Sequence, residues 1–299
     1  MAALLAPKEA CSCSHMPRIA ALLTVHNRRP LTVACLSALF SQELPEGFEV
    51  HVYLVDDGSS DGTADEIHSR FPAVMILQGD GTLYWCGGMR RAWSEASKGQ
   101  FDYYLWLNDD TTLLPGALVA LLDVASATRL KSGKDPIVVG STRDPVTGTL
   151  TFGGGWLQQS TLLEPGNVPL ACDTMNGNVV LIPRAVFEKV GNLSQEYTHA
   201  LGDHDYSLRA IRKDVPVYVG PGYYGLCKPT DPALWTRAQI PLRKRWRALH
   251  TPKGMPPSEY NVFLRNHFPQ GRLWRLLKLY IRVVFPVFWS WSKRGQLAG

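Results

Sequence analysis

The chain has 299 residues, 45% apolar and 19% charged, enough for one large α/β domain with an appendage; this composition excludes general disorder. The formal net charge of +5 hides an asymmetry. Residues 237–299 hold 13 Lys+Arg against one acid, Glu259, a net +12, whereas the preceding 236 positions hold 18 basic and 25 acidic residues, a net −7.

After a short polar lead, residues 1–16, the run Arg18–Val25 is continuously apolar, as in a strand buried on both faces. His26-Asn27-Arg28-Arg29 ends it, and Pro30 opens a helix with Leu31, Ala34, Cys35 and Leu39 at helical spacing. A second strand spans 49–55; Ser60 or Asp61 then caps a helix with Asp65 and Glu66 in its first turn. A third strand at 74–77 is followed by a loop with Gly87-Gly88 and a helix over 89–98. The fourth strand, 103–107, ends in Asn108-Asp109-Asp110. Such alternation predicts a parallel sheet with ligand sites at the carboxyl ends of its strands. The second half is less regular: strands at 137–140, 150–152, 178–182 and 215–219, and a helix over 184–190. From Arg272 on, Leu273, Leu276, Leu277, Tyr280, Ile281 and Val284 share one helical face, with Arg272, Arg275, Lys278 and Arg282 opposite. Pro286 should kink or end that helix, and Phe288, Trp289 and Trp291 follow.

The six cysteines (11, 13, 35, 86, 172, 227) lack the paired spacing of a disulfide framework or zinc site, and Cys11–His15 reads as a mobile lead. Reduced thiols in a cytosolic protein follow. The apolar start at 2–6 is too short for a secretory signal, and Arg282 and Pro286 interrupt the longest apolar stretch near the C-terminus, so no spanning segment is expected.

Three acidic clusters carry the chemistry. Asp56-Asp57-Gly58-Ser59-Ser60-Asp61-Gly62 is either a capped turn or a strand-end carboxylate that accepts from a base N–H or a ribose hydroxyl. Asp109 and Asp110, adjacent after a buried strand, repel unless a cation or donors neutralise them, and hard carboxylate oxygens suit a divalent ion. Gly202-Asp203-His204-Asp205 places a candidate general base at a helix start; His204 is a rival base on its intrinsic pKa. Arg90 and Arg91 beside the paired glycines could meet phosphate, and no glycine-rich triphosphate loop is present.

In order and spacing these clusters resemble the inverting family-2 glycosyltransferases, of the rhamnosyltransferase-like kind that builds bacterial glycans, over residues 18–224. The resemblance implies the glycosyltransferase A fold: a mixed, mostly parallel sheet flanked by helices over 17–236, here with a basic helical extension over 237–299. It implies nucleotide contacts at Thr24, Asn27, Arg28, Asp56, Asp57, Gly87, Gly88, Arg91, Asn108 and Asp109, with Asp110 on Mg2+ or Mn2+. Asp203 falls at the position of the base, and Trp156, Asn176, Gly177, His204 and Asp205 at the acceptor side. Two positions depart from the family's pattern: Gly202 replaces a Glu, and no His follows near Cys227, which leaves that thiol or water to complete the metal shell.

The implied activity is inverting transfer of a sugar from a nucleoside-diphosphate-sugar donor to a hydroxyl of a glycan acceptor, lipid-linked, in cell-surface polysaccharide synthesis. A degenerate sugar-nucleotide or glycan-binding module is the non-enzymatic rival, and a sugar-nucleotide pyrophosphorylase the rival enzyme. The basic amphipathic helix suits either an anionic membrane surface, which makes the protein peripheral on the cytoplasmic face of the cell membrane, or packing on the catalytic domain. No nucleic-acid-binding motif accompanies the charge.

Overall fold

The computed structural model describes residues 16–286; the Cys11–His15 tract and Phe288, Trp289 and Trp291 lie outside them. In chain order the first half is β1 (Arg18–Val25), α1 (Arg29–Phe40), β2 (Glu49–Asp56), α2 (Thr63–Arg70), β3 (Met75–Gln78), α3 (Tyr84–Ala96) and β4 (Tyr103–Leu107). Then come β5 (Thr112–Leu113), α4 (Ala117–Ser132), β6 (Ile137–Arg143), β7 (Leu150–Phe152), β8 (Gly154–Trp156), β9 (Thr161–Leu162), β10 (Leu170–Ala171), β11 (Thr174–Met175) and β12 (Val179–Pro183). The rest is helical around one long strand: α5 (Arg184–Val190), α6 (Gly202–Arg212), β13 (Val217–Leu226), a 3-10 turn (Leu234–Thr236), α7 (Leu242–Leu249), α8 (Pro257–His267) and α9 (Arg272–Val284).

The main sheet runs β10-β13-β6-β12-β4-β1-β2-β3. Its β4-β1-β2-β3 half is all parallel, and β12 enters antiparallel between β4 and β6. Strand periodicity explains the two apolar layers. Ile19, Ala21, Leu23, Leu105 and Leu107 face α1, α2 and α4. Ala20, Leu22, Tyr104 and Trp106 face α3, α5 and α6, where Trp93 packs against Trp106, Phe187 and Tyr206 at centroid distances of 4.9–5.3 Å.

Two local expectations change. The helix expected over 89–98 begins at Tyr84, so Gly87 and Gly88 lie inside it and not in a ligand-approaching loop. A Cβ on Gly88 would fall 2.1 Å from Thr24 Oγ1, so glycine there serves close packing of α3 on β1. The other change is in α9, which has two apolar faces. Leu279, Tyr280 and Val283 pack inward with Trp235, Leu249 and Tyr260, while Leu273, Trp274, Leu277, Ile281 and Phe285 are exposed. Arg282 also turns inward, over the Trp235 ring at 5.1 Å. No helix among the described residues is long and apolar enough to cross a membrane.

The basic C-terminal helices share apolar contacts with the catalytic half: Phe263 of α8 clusters with Cys86, Tyr197 and Leu201. Buried Arg245 anchors this region by donating to the carbonyls of Ala238, Ile240, Val283 and Val284 at 2.8–3.3 Å.

Candidate active site

The carboxyl ends of β1, β2 and β4 open into a cavity of about 510 Å3. Thr24, His26, Arg28, Asp57 and Asp109 line it from the strand ends, Gly81, Tyr84 and Trp85 from the start of α3, and His199 from the loop before α6. Leu234, Thr251, Pro252 and Lys253 of the basic C-terminal region form the remaining wall.

Several polar residues expected to meet nucleotide also brace the strand-end loops. Asp56 Oδ1 accepts from Ser59 N at 2.9 Å, and Asn27, with φ 52°, accepts from Ser60 N at 2.8 Å. Asp57 lines the cavity, yet its carboxylate accepts from the N–H groups of Gly81, Leu83 and Tyr84 at 2.8–3.2 Å. Asp61 ties together the starts of α1 and α2, accepting from Arg29 N at 3.0 Å and Thr63 N at 3.1 Å. Asn108 Oδ1 accepts from the Trp85 indole N–H at 2.7 Å. Arg91 is exposed and outside the cavity wall, while Arg90 donates to Ser194 O at 2.7 Å and fixes the loop before α6.

The acidic pair meets a cation from the chain itself. Arg28 donates to Asp109 Oδ1 at 3.1 Å and Asp110 Oδ2 at 2.7 Å. Asp109 is only 5% exposed; its Oδ2 is buried without a partner, and burial, opposed by Arg28, pushes the carboxyl up to about 7. Cys227 donates to Asp110 Oδ1 at 3.6 Å, and burial beside that carboxylate pushes the thiol up to about 12. As a soft donor the thiol is also poorly matched to Mg2+. Among the described residues no group of three or more His, Cys, Asp and Glu is placed to hold a metal by itself. The orphaned hard oxygen of Asp109 beside Asp110 still fits a divalent ion whose other ligands come from water or a bound diphosphate.

On the acceptor side, Asp203 Oδ2 accepts from Gly177 N at 3.2 Å and Oδ1 from His204 N at 2.8 Å. The carboxylate remains partly exposed, and His204 Nε2 stands 4.0 Å from it while Nδ1 pairs with Thr174 Oγ1. Gly177 is pressed on the Trp85 ring, where a Cβ would sit 2.2 Å from a ring carbon, so one indole separates the base candidate from the cavity. The departure at Gly202 has a packing reason: a Cβ there would lie 2.4 Å from Cys86 Sγ. Asn176 is bonded to Gly153 through backbone and side chain, and Trp156 is exposed at the end of β8, the central strand of the small β11-β8-β9 sheet, and is not among the residues lining the cavity.

The acceptor contact expected at Asp205 is corrected. This carboxylate is 2% exposed and accepts from Arg209 Nε at 2.7 Å, His267 Nε2 at 2.8 Å and Tyr197 OH at 3.3 Å. Burial alone would raise it, but the His267 and Arg209 contacts outweigh that and hold it below the usual range. It ties α6 to α8. Sequence reasoning missed His267, His199, Trp85 and Lys253. Burial, with Lys253 nearby, pushes His199 down to about 4, and its Nδ1 has no partner.

Comparison with known proteins sets this geometry in context. N-acetylglucosaminyl-diphospho-decaprenol L-rhamnosyltransferase of Mycobacterium tuberculosis is 25% identical over 193 residues, 54% of this chain and 60% of that protein. The chain thus matches about three fifths of its curated relative. Among solved structures, S. aureus TarS 1-349 in complex with UDP-GlcNAc aligns with TM-score 0.51 and 13% identity, over 88% of this chain and 72% of that one. The mannosyltransferase PcManGT from Pyrobaculum calidifontis, in complex with GDP-Man and Mn2+, aligns with TM-score 0.52 and 12% identity, over 94% and 84%. These identities speak for the fold alone, which is the α/β glycosyltransferase fold. A family-wide comparison matches residues 21–188, the stretch from β1 through β12 into α5 that builds the strand-end wall of the cavity and the acidic pair, and on that match the chain belongs to Glycosyl transferase family 2.

Proposed function

We propose that the protein is an inverting glycosyltransferase that moves a sugar from a nucleoside-diphosphate-sugar donor to a hydroxyl of a lipid-linked glycan acceptor. The observation that carries the reading is the strand-end cavity, which combines Arg28, the orphaned Oδ2 of Asp109 and, across Trp85, the partly free carboxylate of Asp203. The donors in the TarS and PcManGT structures and the lipid-linked acceptor in the rhamnosyltransferase's name support it.

In this reading the nucleoside rests among Thr24, His26 and Tyr84, and the diphosphate lies toward Arg28. Asp203 takes the proton from the acceptor hydroxyl as its oxygen attacks the anomeric carbon opposite the leaving diphosphate. The Gly177 N–H holds that carboxylate in place. Asp110 and Asp109 Oδ2 would hold Mg2+ or Mn2+, which supplies positive charge to the departing diphosphate.

Docking on the cytoplasmic face of an anionic membrane belongs to the same reading. The exposed apolar stripe of α9 with Arg275 and Lys278 beside it suits the headgroup boundary, while the inward face keeps the helix on the protein. Thermal shift with a panel of sugar nucleotides, followed by transfer assays in Mn2+ and in EDTA, tests the core of the proposal. A matched donor raises Tm by mass action; no stabilisation by any donor and no transfer overturns it.

A further inference from the structure

The cavity wall supplied by the C-terminal region carries one free charge. Thr251–Lys253 lie on a turn between α7 and α8 whose shape is fixed: Gly254 N donates to Thr251 O at 2.8 Å and Met255 N to Leu249 O at 3.1 Å. Glycine is required at 254, where a Cβ would meet Ala248 O at 2.1 Å. The helices that carry the turn are locked to the site. Glu259 of α8 accepts from Thr198 N at 3.1 Å, His267 holds Asp205, and Arg245 of α7 holds the end of α9. The turn is therefore a built wall.

Lys253 on this wall is exposed, lines the cavity and, among the described residues, forms no ion pair. The contrast with Arg28 across the cavity is direct, because that guanidinium is already shared between Asp109 and Asp110. The cavity's carboxylates already have partners other than Lys253: Asp57 accepts from three backbone N–H groups, and Arg28 donates to Asp109 Oδ1 and Asp110 Oδ2. Beside it, His199 presents an uncharged ring with an unpartnered nitrogen. An ammonium without an ion-pair partner in the wall of a ligand cavity attracts an anion of the ligand, and a compact point charge suits a phosphate.

We propose that Lys253 binds the β-phosphate of the nucleoside diphosphate, so that the C-terminal region supplies a donor-binding residue outside the segment that carries the family match. The proposal rests on the glycosyltransferase reading and deepens it by assigning the diphosphate a second anchor opposite Arg28. As the diphosphate leaves the sugar it gains charge on the oxygen nearest this cation, so the contact strengthens along the reaction.

The test is calorimetric titration of the full chain with UDP, GDP and dTDP, each beside its monophosphate, in Mn2+. Wild type, Lys253→Met and Lys253→Arg are compared, with Lys244→Met as an exposed charge-matched control on α7. The expected result is that Lys253→Met weakens the matched diphosphate at least tenfold and its monophosphate less than threefold. Lys253→Arg and Lys244→Met should keep the wild-type diphosphate preference. Because Lys253 is exposed, all variants should melt within a degree or so of wild type. If wild type prefers the diphosphate and Lys253→Met keeps that preference, the assignment falls while the glycosyltransferase reading stands. Equal weakening of both nucleotides overturns the β-phosphate contact as well. Failure of wild type to bind any of the nucleotides overturns both together.

Discussion

Two carboxylate pairs, Asp109 with Asp110 after β4 and Asp203 with Asp205 at the start of α6, are treated unequally by the fold. Asp205 accepts from Arg209, His267 and Tyr197 and is closed to ligand, whereas Asp203 accepts from two backbone N–H groups and stays partly open. In the other pair Arg28 spans both residues but leaves Asp109 Oδ2 buried and unpaired. A saturated carboxylate carries structure, and a carboxylate with a spare lone pair beside a cavity is available for chemistry.

The sharpest way to break this contrast is to neutralise Asp203. Asp203→Asn should lower sugar transfer by ~10²–10⁴-fold with donor affinity near wild type, the range expected for loss of a general base. Transfer retained within about tenfold would move the role to another group, with His204, 4.0 Å away, the first candidate.

Asp205→Ala should act on folding instead. It strands a guanidinium and a buried imidazole, and breaking such a buried pair costs ~3–5 kcal/mol, readable in urea denaturation. A loss below ~1 kcal/mol would contradict the structural role. The same residue has a pH signature. Its folded pKa lies below the ordinary 3.8, so its stabilisation is full above that value and is lost as pH falls through the lower folded one. Asp205→Asn should therefore flatten the acid limb of a Tm–pH profile and leave its neutral region parallel to wild type.

Gly202 offers an intermediate effect with an internal control. Gly202→Ala should cost ~1–3 kcal/mol through overpacking on Cys86 Sγ. The Cys86 Cβ stands 3.6 Å from the new methyl, an ordinary contact, so Cys86→Ala should relieve most of the cost. Strictly additive losses in the double variant would refute the packing account.

Asp110→Ala is expected to have the smallest free-energy effect, about tenfold weaker donor binding in Mn2+, or ~1.4 kcal/mol, and none in EDTA. Calorimetry showing unchanged affinity in Mn2+, and the same affinity in EDTA, would remove the metal role.

Much of this frame was readable from residue order alone. The apolar runs at 18–25 and 103–107 declared strands buried on both faces, and both deliver polar residues to the cavity. What escaped was fixed by contacts distant in sequence. Gly87 and Gly88 read as a ligand loop because nothing local reveals that Thr24 packs on the second of them. Asp56, Asp57 and Asn108 have the right chemistry for nucleotide, and the sequence did not show that they also accept from loop N–H groups and an indole N–H. Lys253 is one cation among 13 in its region, and only the fold singles it out. The α9 helix gave both a membrane-suited and a packing-suited pattern because it has an apolar face for each side.

The bond from His267 to Asp205, 62 positions back, bears on how the enzyme is made. During synthesis the main sheet is complete only once β13 has emerged, and α6 then still carries a buried carboxylate without one of its donors. The cavity also lacks a wall until Lys253 leaves the ribosome. A nascent chain free of the ribosome only as far as residue 236 would thus hold a finished sheet beside an unfinished site, and ligand could be gripped fully only once α8 has emerged.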